Sequence, residues 1–231
     1  MKKILAIFAF LIFGLIGCDS SSDNSTSSNS GSSSTTSGVS GTFTDTRDGQ
    51  VYKWVKIGTQ TWMAQNLNYR NTSGKNDTVG VCYNDLSANC ATYGRLYTWL
   101  DVMNGASPSS ANPSGTQGIC PSGWHVPSDT EWGGLLTYVG ADSARIKLSS
   151  TSGWNNNKNG IDDYNFTVLP AGYRLSIGIF NYADNISIFW SSSEYKDTSY
   201  AWMRSFNYNY AKVGHGTDYK SYGYSLRCIQ N

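Results

Sequence analysis

Charge is scarce in this chain: among 231 residues, Asp, Glu, Lys and Arg together make up only 14%. That excludes a surface-charged helical bundle, in which Glu, Lys and Ala dominate. The balance of 17 basic against 16 acidic side chains also excludes the basic patch that draws nucleic acid. Histidine is scarcer still. His125 and His215 stand 90 residues apart, and neither has a second ligand at a zinc-site spacing. Glutamate occurs twice, at Glu131 and Glu194, too few to supply the paired carboxylates of a glycosidase once local roles are assigned. Glu131 belongs to a helix cap and Glu194 to a strand end, while Asp162 and Asp163 read as turn residues in an Asn-rich loop. What the chain has instead is 14% aromatic residues, with 16 Tyr, 8 Trp and 24 Gly. This mix favours a loop-rich domain of many short strands.

The chain opens MKKILAIFAFLIFGLIGC. Lys2 and Lys3 form a positive n-region, and the apolar run Ile4 to Ile16 is too short to span a bilayer comfortably. It ends in Leu15-Ile16-Gly17-Cys18, which looks like a bacterial lipobox. Residues 1–17 are therefore expected to be a cleaved lipoprotein signal peptide, with Cys18 lipidated as the membrane anchor. Losing Lys2 and Lys3 leaves 15 basic and 16 acidic side chains, a net charge of −1. Residues 18–40 carry the lipid and a Ser-rich stretch, DSSSDNSTSSNSGSSSTTSGVS, with Val39 as its one apolar side chain. Such a segment cannot bury enough surface to fold and is expected to act as a flexible tether, spanning roughly 25 Å. The folded domain is expected over residues 41–231.

With Cys18 set aside, Cys82, Cys90, Cys120 and Cys228 remain. An even number in an exported protein argues for two disulfides, and three pairings are open. Cys82 and Cys90 enclose a short Asn-rich turn and are natural local partners, which leaves Cys120 for Cys228. In CPSGWHVPSDTEW, Cys120 to Trp132, a Cys–His nucleophile would need a free thiolate. A disulfide removes it, so the stretch reads as a rigid corner leading into a helix.

That helix has the clearest signal. Ser128 stands three residues before Glu131 as a capping box, followed by Trp132, Leu135, Leu136 and Val139 at helical spacing and then Gly140. A first helix is predicted over Tyr93 to Met103, with Leu96, Trp99, Leu100 and Met103 on one face. Asp48-Gly49 signals a hairpin turn before VYKWVKI, and strands are predicted in FTVLPAGYR, FWSSSEY, YAWMRSFNY and YSLRCI. The expectation is an α+β domain with two early helices and a mostly antiparallel sheet built mainly from the second half.

Two stretches invite a ligand. Asn155, Asn157, Asn159, Gly160 and Asp163 fall at positions 1, 3, 5, 6 and 9 of a loop resembling an EF-hand, but position 12 is Phe166. With so few carboxylates, at most a weak calcium site is expected. In WMRSFNYNY, Trp202, Arg204, Phe206, Tyr208 and Tyr210 alternate with Ser205, Asn207 and Asn209. Core packing is the plainer reading of this run. A ligand surface of Trp202, Asn207, Tyr208, Asn209 and Tyr210, with rings stacking on sugars and amides bonding hydroxyls, is the functional one.

The ordered motifs VYKWVKIGTQTWMAQNLNY, CYNDLSANCATYGRLYTW, CPSGWHVPSDTEW, FTVLPAGYR, FWSSSEY, AWMRSF and GYSLRC resemble the Fibrobacter succinogenes major paralogous domain, from about Asp45 to Ile229. The resemblance implies a C-type-lectin-like architecture, akin to that of formylglycine-generating enzymes, in an exported and often lipid-anchored protein. The expected function is a surface-displayed, non-catalytic binding or adhesion module for a glycan. A structural or partner-binding envelope lipoprotein is the alternative, and an oxidase-like enzyme using cysteines and copper a more distant one. The expected place is the cell envelope, at the outer membrane or cell surface. Asp19, which resembles an inner-membrane retention signal, leaves the inner membrane open.

Overall fold

The computed structural model describes residues 39–70, 79–196 and 198–231. The signal peptide, Cys18 and nearly all of the expected tether lie outside the described residues. The first strand, β1 (Ser40–Thr44), pairs antiparallel with β2 (Val51–Ile57) across the Asp48-Gly49 turn, Ser40 opposite Val55. Gly58 turns the chain into β3 (Gln60–Met63), again antiparallel to β2. Strand β2 is packed on both faces: Tyr52 enters one core, while Val55 and Ile57 enter a second. Val51, by contrast, is exposed.

The helix predicted over Tyr93 to Met103 forms only from Trp99 onward, and a separate helix ends where it was expected to begin. The first, α1 (Ser87–Tyr93), stops at Gly94, whose φ of 72° suits glycine. Leu96 and Tyr97 then run extended, bridging Val81 and Tyr224. The second, α2 (Trp99–Met103), starts from its own capping box of Thr98 and Asp101. The helical spacing of Leu96 and Leu100 was coincidental, and Leu100 is 68% exposed. The later helix agrees with its signal: α3 (Asp129–Val139) is capped reciprocally by Ser128 and Glu131 and ends at Gly140. A further short helix, α4 (Ala144–Leu148), follows.

The remaining strands are β4 (Trp124–His125), β5 (Ala171–Arg174), β6 (Phe180–Ala183), β7 (Ile186–Glu194), β8 (Tyr200–Asn207), β9 (Gly214–Tyr219) and β10 (Ile229–Gln230). They form two sheets rather than one. The first has the order β1-β2-β3-β10-β4 and draws three strands from the N-terminal part; the second has the order β6-β5-β7-β8-β9. Pairing is antiparallel except where β5 meets β7 at Gly172 and Ser187. Beyond that pair another segment joins both strands. Gly223 exchanges backbone bonds with Arg174, while Ser225 bonds Ile188 and Trp190. The class is α+β.

Both expected disulfides are present, Cys82–Cys90 and Cys120–Cys228. The second ties β10 to the turn preceding β4. One core gathers Tyr97, Trp99, Trp124, Trp190 and Leu226 around that bridge. In the other, Trp132 sits among Trp62, Phe166, Phe189 and Phe206 at ring separations of 4.6 to 6.5 Å.

Glu131 does more than cap α3. Its Oε2 accepts from the Ser128 and Ser114 backbone N–H groups, and its Oε1 lies 2.8 Å from His125 Nε2. His125 Nδ1 lies 2.6 Å from Asn231 Oδ1. The Glu131 carboxylate and the Asn231 amide oxygen at the two ring nitrogens favour the protonated imidazole. Burial alone would lower its pKa, but bonds to Glu131 and Asn231 raise it above the ordinary histidine value. Its contribution to stability is thus full below about pH 6.5, the unfolded value, and is lost as pH rises through the folded one. Urea unfolding should show the domain losing stability as pH rises above about 6.5. Glu131→Ala should cost about 3 kcal/mol or more below that pH, because a buried cation loses its partner, and should flatten that pH dependence. An unchanged pH profile in the variant would dissociate it from this pair.

Candidate functional site

A groove of about 540 Å³ is assembled from segments far apart in sequence: β1 and β2, the stretch after β3, the end of α1, the approach to Val168, and Arg227. Each wall has a local cause. Gly41 has no side chain, so the Trp54 ring can lie across it; an added Cβ there would sit 2.7 Å from that ring. Gln65 accepts the Lys53 N–H at 2.8 Å through Oε1, which leaves its amide NH2 to donate. Asn68 donates its backbone N–H to the Tyr52 hydroxyl at 3.0 Å. Burial pushes the Tyr52 phenol well up, so it stays neutral. Asn66 fixes the floor, its amide N–H groups donating to the Tyr93 carbonyl and the Ser225 hydroxyl.

Arg227 is 1% exposed. Its Nε donates to Asn66 Oδ1 at 2.9 Å, one terminal nitrogen to the Phe166 carbonyl, and the other to the Thr167 carbonyl at 2.8 Å. The guanidinium carbon also lies 4.4 Å from the Phe166 ring centre. Burial pushes its pKa down to about 9, so it remains charged at neutral pH. The two charged residues lining the groove, Lys53 and Arg227, are both cations. The rest of the lining mixes amides and hydroxyls with apolar groups, among them Ala64, Ala91, Leu169 and the half-buried Trp54 indole. This arrangement can hold a hydroxyl-rich molecule by stacking and hydrogen bonding.

The residues singled out in the sequence lie elsewhere. Trp202, on β8, stacks on His215 at 4.5 Å with Tyr195 edge-on. The strand ends at Asn207, so Tyr208 and Tyr210 lie in the turn beyond it and not on one strand face with Trp202, as expected from alternation. Six residues of strand put Trp202 about 20 Å from Tyr208. Phe206 is wholly buried, Tyr208 half-buried and Tyr210 65% exposed. The Asn-rich loop does come alongside this turn, since Lys158 donates to Asn209 Oδ1 at 3.2 Å. Within the loop, Asn155 Oδ1 accepts the Asn156 N–H and Asn159 Oδ1 the Trp154 N–H, so two of the expected calcium-ligand oxygens are spent on backbone. Among the described residues no three His, Cys, Asp or Glu side chains gather as a metal site. Cys120 is bonded to Cys228 and His125 to Glu131, which makes the Cys120–His125 stretch a scaffold.

Sequence reasoning missed the groove and Arg227. One signal was present: an arginine inside the apolar strand-like run YSLRCI must find buried acceptors. Nothing in the sequence showed where those acceptors come from.

Fold and site together define a disulfide-bonded α+β domain with a groove of mixed polar and apolar lining. The chain belongs to the Fibrobacter succinogenes major domain family, whose model matches residues 55–230. No curated protein and no solved structure gives a significant match.

Gly94 tests how the groove is built. Its φ is 72°, and an added Cβ would sit 2.8 Å from both the Leu67 carbonyl oxygen and Asn66 Cβ. Gly94→Ala should cost about 2 kcal/mol or more in urea unfolding, since strain and a backbone clash coincide. A loss below half of that would mean that α1 can withdraw freely from the groove wall.

Proposed function

We propose that this is a non-catalytic binding module, lipid-anchored at Cys18 and displayed at the cell envelope, that holds carbohydrate in the groove beside Trp54. We further propose that its α+β frame is a C-type-lectin-like variant. The observation that carries the reading is the groove's lining: an indole for a sugar's C–H face, with the Gln65 and Asn165 amides for its hydroxyls. Binding is favoured over oxidase chemistry because all four cysteines of the described domain are spent in disulfides, leaving no thiolate there. One surface favours the alternative of a protein partner. The β5–β6 hairpin exposes Ile177, Ile179 and Tyr182, at 75%, 51% and 60%.

Affinity electrophoresis through gels containing soluble polysaccharides tests the site. Trp54→Ala should weaken retention by about 1 kcal/mol or more, the scale of an anchoring aromatic. The double variant Tyr208→Ala, Tyr210→Ala should migrate as the wild type. The reverse outcome would move the site to the turn after β8. Cys18→Ala should release the protein from the membrane fraction; continued sedimentation with membranes would refute the lipid anchor.

A further inference from the structure

The groove's charge is one-sided. In a chain whose charges nearly balance, the charged groups lining it are Lys53, exposed on β2, and Arg227, which is almost wholly buried. No Asp or Glu is part of the lining. Arg227 is the unusual member. A guanidinium presents five N–H donors in a plane. Three of them go to neutral acceptors: the Asn66 side-chain oxygen and the Phe166 and Thr167 carbonyls. Among the described residues no carboxylate forms an ion pair with it. Asp162 supports its charge from a distance, but spends its oxygens on the Thr167 N–H and hydroxyl at 2.7 and 2.6 Å.

A buried cation with neutral partners alone keeps much of its desolvation cost. Burial pushes the pKa of this guanidinium down, and the distant Asp162 charge offsets that only in part. Where such a cation borders a cavity, an anion entering that cavity recovers the missing Coulomb energy. Carboxylates suit the planar fork best. A neutral sugar would use the indole and amides and leave the charge unanswered.

We infer that the groove selects an acidic sugar, a ring bearing a carboxylate as in a uronic acid, with the carboxylate directed at Arg227 and Lys53. This rests on the groove being the carbohydrate site. It departs from the neutral polysaccharide that overall charge balance suggests, because the local charge of the groove differs from that of the chain.

The test changes the ligand, since removing Arg227 could unfold the protein. The full-length chain in detergent is titrated calorimetrically with oligogalacturonate and with the same oligomer fully methyl-esterified, which keeps the ring and loses the charge. The acid form should bind at least about tenfold tighter, the factor one charge-assisted contact supplies. The preference should shrink as salt is raised. Lys53→Gln should keep a preference of several-fold, because the buried guanidinium remains. Trp54→Ala should weaken both oligomers.

Equal binding of the two forms, with both weakened by Trp54→Ala, would overturn the acid preference and leave the groove in place. Loss of the whole preference in Lys53→Gln would overturn the part given to Arg227. Inorganic phosphate competing as well as galacturonate would show a bare anion site and overturn the sugar reading of the cation pair. Binding of neither oligomer, or binding indifferent to Trp54→Ala, would overturn the groove as the carbohydrate site and this inference with it.

Discussion

The buried guanidinium of Arg227 is the constraint around which the domain is arranged. A charge almost wholly withdrawn from water must be surrounded by acceptors, or the fold that buries it does not form. Here the acceptors come from two segments distant in the chain, Asn66 after β3 and the carbonyls of Phe166 and Thr167. Arg227 itself leads into β10, which sits between β3 and β4 in the first sheet. The cation therefore fixes how the C-terminal end enters that sheet and where the 162–168 loop lies against it. Phe166 and Phe189 stack beside the guanidinium, 4.4 and 5.6 Å from its carbon, which joins the polar knot to the aromatic core around Trp132.

The next residue, Cys228, carries the same closure covalently. Its bridge to Cys120 spans 108 positions, and closing so long a loop removes about 5 kcal/mol of unfolded-chain entropy in the usual model. The two sheets then depend on few backbone pairs at this seam. Strand β10 has two residues and β4 two, so hydrogen bonds alone would hold them weakly. The disulfide, the Arg227 cluster and the Glu131–His125–Asn231 chain converge on these four residues. A short seam is held by side chains where regular pairing is too brief to hold it.

Legibility in the sequence followed the range of each interaction. Helix α3 could be read because its cap, its apolar face and its terminal glycine are all local. The disulfides could be read because export, parity and one short loop restrict the choices. The helix over Tyr93 to Met103 could not, because Gly94 and the bridges of Leu96 and Tyr97 to Val81 and Tyr224 override a local period. Strand β9, GHGTDY, has no apolar alternation and exists because β8 offers six paired positions. The first sheet was underestimated because β10 joins it from the far end of the chain. The groove was least legible of all. Its walls come from near residues 41, 54, 66, 92, 165 and 227, and no window of sequence contains more than a fragment.

A second arginine shows what is particular about the first. Arg145, 4% exposed, is also held by neutral oxygens, donating to the carbonyls of Tyr210, Lys158 and Tyr208 at 2.9, 2.8 and 3.2 Å. It pins the turn after β8 to the Asn-rich loop, which explains why Tyr208 is half-buried although Tyr210 projects. Neutral oxygens around a buried guanidinium are thus a structural device that this fold uses more than once. Arg145 does not border the groove, and no further anion is needed to account for it. Arg227 fulfils the same holding role from a position that also lines the groove, together with Trp54, Gln65 and Asn165. Holding the chain explains why an arginine is there, but it does not explain why that arginine borders an open, amide-lined groove with no acidic side chain. The position of the charge, more than its presence, ties the architecture of the fold to the chemistry of its groove.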